Sequence, residues 1–181
     1  EKMSWGRPHW HDHVGSEVKA IRENVAILDQ SSFGKIEVRG KDALNVLQRL
    51  CTRNMDKPVG SLCYTQMCNS DGGIECDVTV ARTGVDSFYI ITGTSFTTHD
   101  LDWIHTHLES GESCVAYDAT STRGVLNLCG PNARKVLEKT IIAKDEDVGN
   151  EGFRFGTCQQ IHVGSAPVLA LRVSYHGELG W

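Results

Sequence analysis

The residue of this sequence best suited to do chemistry is Asp77, at the centre of Gly72-Gly73-Ile74-Glu75-Cys76-Asp77-Val78-Thr79-Val80. In an extended strand with period two, Glu75, Asp77 and Thr79 share one face, while Ile74, Cys76, Val78 and Val80 share the other. The apolar face must pack, so the acidic face points either to solvent or into a cleft. Two features favour a cleft. The Gly-Gly step can admit another group close to the backbone, and Tyr64 and Tyr89 lie nearby in sequence. A carboxylate beside flat rings suits a planar, nitrogen-rich ligand, because the rings bury apolar area while the acid accepts hydrogen bonds or balances a cation.

A second segment, Val173-Ser174-Tyr175-His176-Gly177-Glu178-Leu179-Gly180-Trp181, combines two glycines with an acid and two aromatics. It fits a turn that presents side chains to a pocket, and equally an ordinary hairpin turn. His9, His11 and His13 would project to one side of an extended strand as zinc ligands do, but no cysteine is close by and solvated arm histidines are the commoner case, so no metal site is expected. No G-x-G-x-x-G, G-x-x-x-x-G-K-[ST] or G-x-S-x-G occurs, which removes the usual dinucleotide, P-loop and hydrolase signatures.

These residues need elements to hold them. Ser16 is placed to cap a helix over residues 17–28, with Val18, Ile21, Val25 and Leu28 on a face expected to pack on a sheet. Residues 33–39 alternate as a strand and 41–51 resume helical spacing. Strands are expected at 61–68, 74–82 and 88–92, the first two joined by the turn Asn69-Ser70-Asp71-Gly72-Gly73. A helix opening at Ser95 or Thr97, strands at 113–119 and 124–129, a short helix from Gly130-Pro131, a surface loop at 144–152 and strands at 153–163 and 167–175 complete the chain. Strand pairs interleaved with helices without regular alternation predict an α+β fold of mostly antiparallel sheet with packed helices. Residues 1–13 are expected to be a linker or arm. Residues 14–181 are expected to form one domain, cut short where Trp181 reads as leading into further strand.

Composition narrows the partners. The 181 residues carry 18 basic and 23 acidic side chains, a net charge of −5, so neither nucleic acid nor an anionic membrane is an expected partner. Seven cysteines, an odd number without a C-x-x-C pair, read as reduced buried thiols rather than a disulfide framework.

Five blocks in order carry a family resemblance: Leu28-Asp29-Gln30-Ser31-Ser32-Phe33-Gly34-Lys35, Tyr64-Thr65-Gln66-Met67-Cys68-Asn69, Gly72 to Arg82, Gly130-Pro131-Asn132-Ala133-Arg134, and Ser174 to Trp181. Together they resemble the folate-binding domain of the aminomethyltransferase (glycine-cleavage T-protein) family, with the dimethylglycine and sarcosine dehydrogenase C-terminal region the most similar branch. The leading Trp5-Gly6-Arg7-Pro8-His9-Trp10 resembles the segment joining the flavin and folate halves of those dehydrogenases. The resemblance implies tetrahydrofolate-dependent capture of a one-carbon unit, delivered by a methylated glycine-type amine or its iminium, as methylenetetrahydrofolate. It assigns the functional acid to Asp77, shielded from water, and the pterin-lining positions to Phe33, Tyr64, Tyr89, Ile91 and Tyr175. FAD is expected only in a preceding N-terminal half, and the compartment is the mitochondrial matrix in a eukaryote or the cytoplasm in a bacterium. The family's pterin-binding glutamate follows the Gly-Trp pair, beyond Trp181. Without it the resemblance implies weakened folate binding, by about 1.5–3 kcal/mol for a hydrogen bond to a charged group, and a segment that by itself need not turn over. The alternative is a non-catalytic folate-binding or regulatory module like the regulatory subunit of pyruvate dehydrogenase phosphatase.

Overall fold

The computed structural model describes residues 6–142 and 146–181. Its centre is a five-stranded sheet of β2 (Gly34–Arg39), β3 (Leu62–Cys68), β4 (Ile74–Gly84), β5 (Ser87–Thr92) and β6 (Val115–Asp118), ordered β3-β4-β5-β2-β6. Two small sheets flank it. One pairs β1 (Ala26–Asp29) with β7 (Leu126–Cys129), the other β8 (Thr157–Val163) with β9 (Ala166–Arg172). Every pairing of these strands is antiparallel. With the helices α1 (His11–Glu23), α2 (Ala43–Leu50), α3 (Thr97–Thr106) and α4 (Ala133–Thr140), the chain has the α+β architecture that its alternating patterns predict.

One face of the central sheet builds the main core. Ile36, Val38, Cys63, Met67, Cys76, Val78, Val80, Phe88 and Ile90 are buried there with Val46 and Leu47 of α2 and Ile104 of α3. The reason is local. Period-two strands turn every second side chain inward, and α2 offers Ala43, Val46 and Leu47 at helical spacing. A second core joins α4 to the β8–β9 hairpin through Leu137, Val148, Phe153, Ile161 and Trp181.

The N-terminal reading needs correction. Helix α1 begins at His11, inside the expected arm, and ends at Glu23, and it buries no residue. Ser16 does not cap it; its hydroxyl donates to the His13 carbonyl at 2.7 Å. Residues 26–28, expected to be helical, belong to β1 instead, because their backbone finds partners in β7 about a hundred residues away. With His11 and His13 on a helix, the extended one-sided arrangement of three imidazoles does not form. Of the expected loop 144–152, residues 144 and 145 lie outside the described residues, and Val148 is buried in the second core rather than on the surface.

Candidate functional site

The face of the central sheet opposite the main core carries the residues singled out by sequence. Register sorts them into rows. Leu62, Ala81, Tyr89, Glu37 and Tyr117 pair across all five strands; Tyr64, Thr79, Ile91 and Lys35 form the next row; Gln66 and Asp77 form the third. Phe33 precedes β2 at the level of the third row.

Asp77 accepts a hydrogen bond from Gln66 Nε2 at 2.9 Å. Diagonally beside it, Tyr64 feels the carboxylate. Hydrogen bonding to Asp77, with partial burial and the Asp77 charge, pushes the Tyr64 phenol above its ordinary pKa of 10, and Tyr175 is close enough to contribute. So Asp77, Gln66 and Tyr64 form one cluster on β3 and β4, with Tyr175 of the segment after β9 in the neighbourhood of Tyr64. Asp77 is exposed here rather than shielded, as are Tyr64 and Tyr175, the latter at 93%. The physical reason lies in coverage: the β8–β9 hairpin packs on Leu62, Ala81, Tyr89 and Ile91 through Leu169 and Leu171, and its cover stops short of the third row.

Tyr89 is not brought to the open cluster. It is only 5% exposed, with the Arg123 guanidinium 5.0 Å from its ring centre, and burial raises its pKa. Ile91 stands between the two situations, half-buried at the hairpin's edge. Phe33 is exposed. Glu75, expected to share the face of Asp77, has its carboxylate at the strand's end against Asn69 Nδ2 (2.7 Å) and His99 Nε2 (3.6 Å). Gly72 serves its turn through a φ of +82°, and a Cβ added there would meet none of the described atoms within 4 Å.

Two buried charges on this face went unnoticed in sequence. The Lys35 ammonium donates to the carbonyls of Ser31 (2.7 Å), Phe33 (3.0 Å) and Thr120 (3.1 Å), and burial lowers its pKa although Asp118 and Asp29 counter that effect. It thereby ties the segment bearing Phe33 to the sheet. Glu37 accepts from Tyr117 Oη (2.6 Å) and Arg123 (2.7 Å) and pairs with Arg39. Alternation set Lys35 and Glu37 opposite Ile36 and Val38 but carried no signal of their burial, which comes from Thr120, Tyr117 and Arg123, 80 to 86 residues away.

The Val173–Trp181 segment resolves into two halves. Glu178 caps a tight turn, taking the His176 amide at 2.9 Å and the Ser174 hydroxyl at 3.2 Å. Beyond it Trp181 pairs with Leu128 through two 2.9 Å backbone hydrogen bonds, adding an edge to the β1–β7 sheet. Its indole is buried against Phe153 with Arg134 and Arg172 each 5.6 Å from the ring centre. Trp181 is therefore an anchor and Tyr175 the exposed side chain. A separate cavity of about 390 Å³ lies between α2 and α3, lined by Arg49, Leu50, Trp103 and His107 among others. It is on the far side of the sheet and shares no residue with the Asp77 cluster.

An antiparallel α+β sheet with packed helices, carrying Asp77, Gln66 and Tyr64 on its partly covered face, is the architecture of an aminomethyltransferase-type domain. Over residues 1–181 the chain matches the family described as the GCVT N-terminal domain; it belongs to that family. It is 36% identical to mitochondrial dimethylglycine dehydrogenase of Homo sapiens, over 99% of this chain and 20% of that protein. It is 34% identical to the mitochondrial pyruvate dehydrogenase phosphatase regulatory subunit of Mus musculus, over the whole chain and 21% of that protein. The fold matches the glycine cleavage system aminomethyltransferase T from Bartonella henselae with a TM-score of 0.76 at 22% identity, covering 91% of this chain and 43% of that one. The chain thus spans about a fifth of the length of the two sequence relatives. Among the described residues no helix is long and apolar enough to cross a membrane.

Proposed function

We propose that this chain supplies the folate-facing sheet of a one-carbon transfer unit, in which an aminomethyl or iminium methylene group passes to tetrahydrofolate to give methylenetetrahydrofolate. The observation that carries the reading is the Asp77 cluster on the sheet face of a GCVT-family domain. Tetrahydrofolate would supply the nitrogens that take up the one-carbon unit. Asp77 is the proposed acid: it orients an amine by accepting its N–H and balances positive charge as the iminium is attacked. Gln66 holds the carboxylate through its Oδ1. Tyr64, held as a neutral phenol by its acidic neighbour, offers an O–H and a ring face; Tyr175, Ile91 and Phe33 extend the apolar wall, and Tyr89 supports it from beneath rather than touching ligand. These residues fit a pterin edge, which presents N–H donors beside a flat ring.

The amine reading follows from the likeness to dimethylglycine dehydrogenase: a methylated glycine or its iminium is the proposed donor, and FAD would belong to the part of such a protein outside this segment. The mitochondrial matrix is the proposed compartment for a eukaryotic parent. In the full-length parent, Asp77→Asn is expected to lower methylenetetrahydrofolate formation by about 10²–10⁴-fold, the usual worth of a positioned acid–base group, with the fold intact by circular dichroism. An unchanged rate would remove Asp77 from the mechanism. The likeness to the phosphatase regulatory subunit favours one second reading, a regulatory module on the same scaffold. A parent protein that binds tetrahydrofolate without any turnover would support it.

A further inference from the structure

On β4, one residue from Asp77 and facing the opposite way, Cys76 lies in the main core at 1% exposure. Its Sγ, a ring nitrogen of His99 and a carboxylate oxygen of Asp100 all fall within 4.8 Å of one another. His99 and Asp100 belong to the start of α3, so three donors from two elements converge. Asp100 is 2% exposed. Its Oδ2 accepts from Thr92 Oγ1 at 2.5 Å, which leaves Oδ1 3.0 Å from His99 Nδ1. The other imidazole nitrogen, Nε2, faces Glu75 Oε2 at 3.6 Å, and Glu75 is held by Asn69.

A plain hydrogen-bonded cluster would need nothing more than the His99–Asp100 contact. The surroundings do more: Thr92 occupies Asp100 Oδ2, and the Glu75 carboxylate stands 3.6 Å from His99 Nε2, within ion-pair range of the nitrogen that Asp100 does not contact. A carboxylate on the far nitrogen of a histidine is the arrangement that fixes the tautomer and orientation of a metal-binding imidazole. Zinc-to-donor distances of about 2.0–2.3 Å put tetrahedral donor atoms roughly 3.3–3.6 Å apart. The His99–Asp100 spacing is close to that, and the sulfur has at most about an ångström to close. Sulfur and imidazole donors exclude calcium and magnesium, which take oxygen, and select a zinc-class ion.

We propose that Cys76, His99 and Asp100 form a three-ligand site for a divalent transition-metal ion of the zinc class, which ties the first turn of α3 to β4. The fourth position opens on the His99 side, where that side chain is 48% exposed. On binding, the Cys76 thiol gives its proton to solvent and the sulfur becomes a thiolate ligand; no oxidation state changes. The site lies across the sheet from the Asp77 cluster and is independent of folate.

Cobalt tests it directly. The protein, stripped with chelator and kept reduced, is titrated with cobalt(II) and followed by absorption. The expected result is one equivalent bound, with a near-ultraviolet thiolate-to-cobalt charge-transfer band and the visible bands of tetrahedral cobalt, all displaced by zinc. Cys76→Ser should abolish the charge-transfer band. His99→Gln, at a half-exposed ring, should abolish tight binding while the circular-dichroism spectrum stays native, and Glu75→Gln should weaken it by about tenfold or more. Absence of the band at millimolar cobalt would overturn the proposal. So would a band that survives in both the Cys76 and the His99 variants, since six other cysteines are present. Neither result bears on tetrahydrofolate binding.

Discussion

Glu37 shows how a single side chain can hold one end of the functional face. Burial alone would raise its pKa, but the Tyr117 hydroxyl, Arg39 and Arg123 outweigh it and leave the carboxyl below its ordinary 4.5. Because the folded value is depressed, the stabilisation is complete above pH 4.5 and drains away as pH falls through the lowered folded value. Glu37→Gln should therefore cost about 1.5 kcal/mol at neutral pH, the low end of the range for a hydrogen bond to a charged group, because both arginines are partly exposed and screened. Urea midpoints of the two proteins measured from pH 7 down to pH 3 should converge as the acid limb is reached. A gap that stays constant across the range would show that Glu37 contributes by shape and not by charge. The same variant loosens Arg123, and with it the cover over Tyr89, without touching Asp77.

At the scale of elements, Gly130 decides how α1, β1 and β7 meet. It adopts a φ of +120° at the end of β7, and a Cβ there would stand 2.5 Å from the Asn24 carbonyl oxygen and 2.9 Å from Val25 Cα, which are backbone and cannot swing away. Gly130→Ala should destabilise the chain by about 1–3 kcal/mol, the cost of forced backbone strain, read as a lowered thermal midpoint; an unchanged midpoint would mean the junction gives freely. The sequence block Gly130-Pro131-Asn132-Ala133-Arg134 was legible as a helix start, and α4 follows it. What was not legible was the other side of this junction. Val18, Ile21, Val25 and Leu28 have helical spacing, yet the helix stops at Glu23, where Asn24 accepts two hydrogen bonds from Asn132, side-chain Nδ2 to Oδ1 at 2.9 Å and backbone N–H to carbonyl at 2.9 Å. A partner 108 residues away leaves no local trace, so β1 was read as helix. The central strands fared better because period-two alternation and the Asn69 turn are local signals, and β3, β4 and β5 lie within two residues of where the pattern places them.

For the molecule as a whole, the functional reading rests on which face of the sheet is left open. Alternation in β4 was enough to set Asp77 on the face opposite the packed side, and the β3–β4 register then brings Gln66 and Tyr64 beside it, as no single-strand pattern could reveal for residues 11 or 13 positions apart. Coverage was the illegible part: the hairpin β8–β9 hides Tyr89 and half of Ile91 while leaving Asp77 in solvent, a consequence of tertiary packing that spacing does not encode. The α2–α3 cavity lies on the other side of the sheet and shares none of these residues. The most direct measurement is a titration of the isotope-labelled chain with tetrahydrofolate, followed residue by residue by NMR chemical shifts. The account predicts saturating shifts at Tyr64, Gln66, Asp77, Ile91 and Tyr175, weakened in Asp77→Asn, with Trp103 and His107 of the α2–α3 cavity unmoved. Shifts confined to that cavity, or none at millimolar tetrahydrofolate, would contradict it.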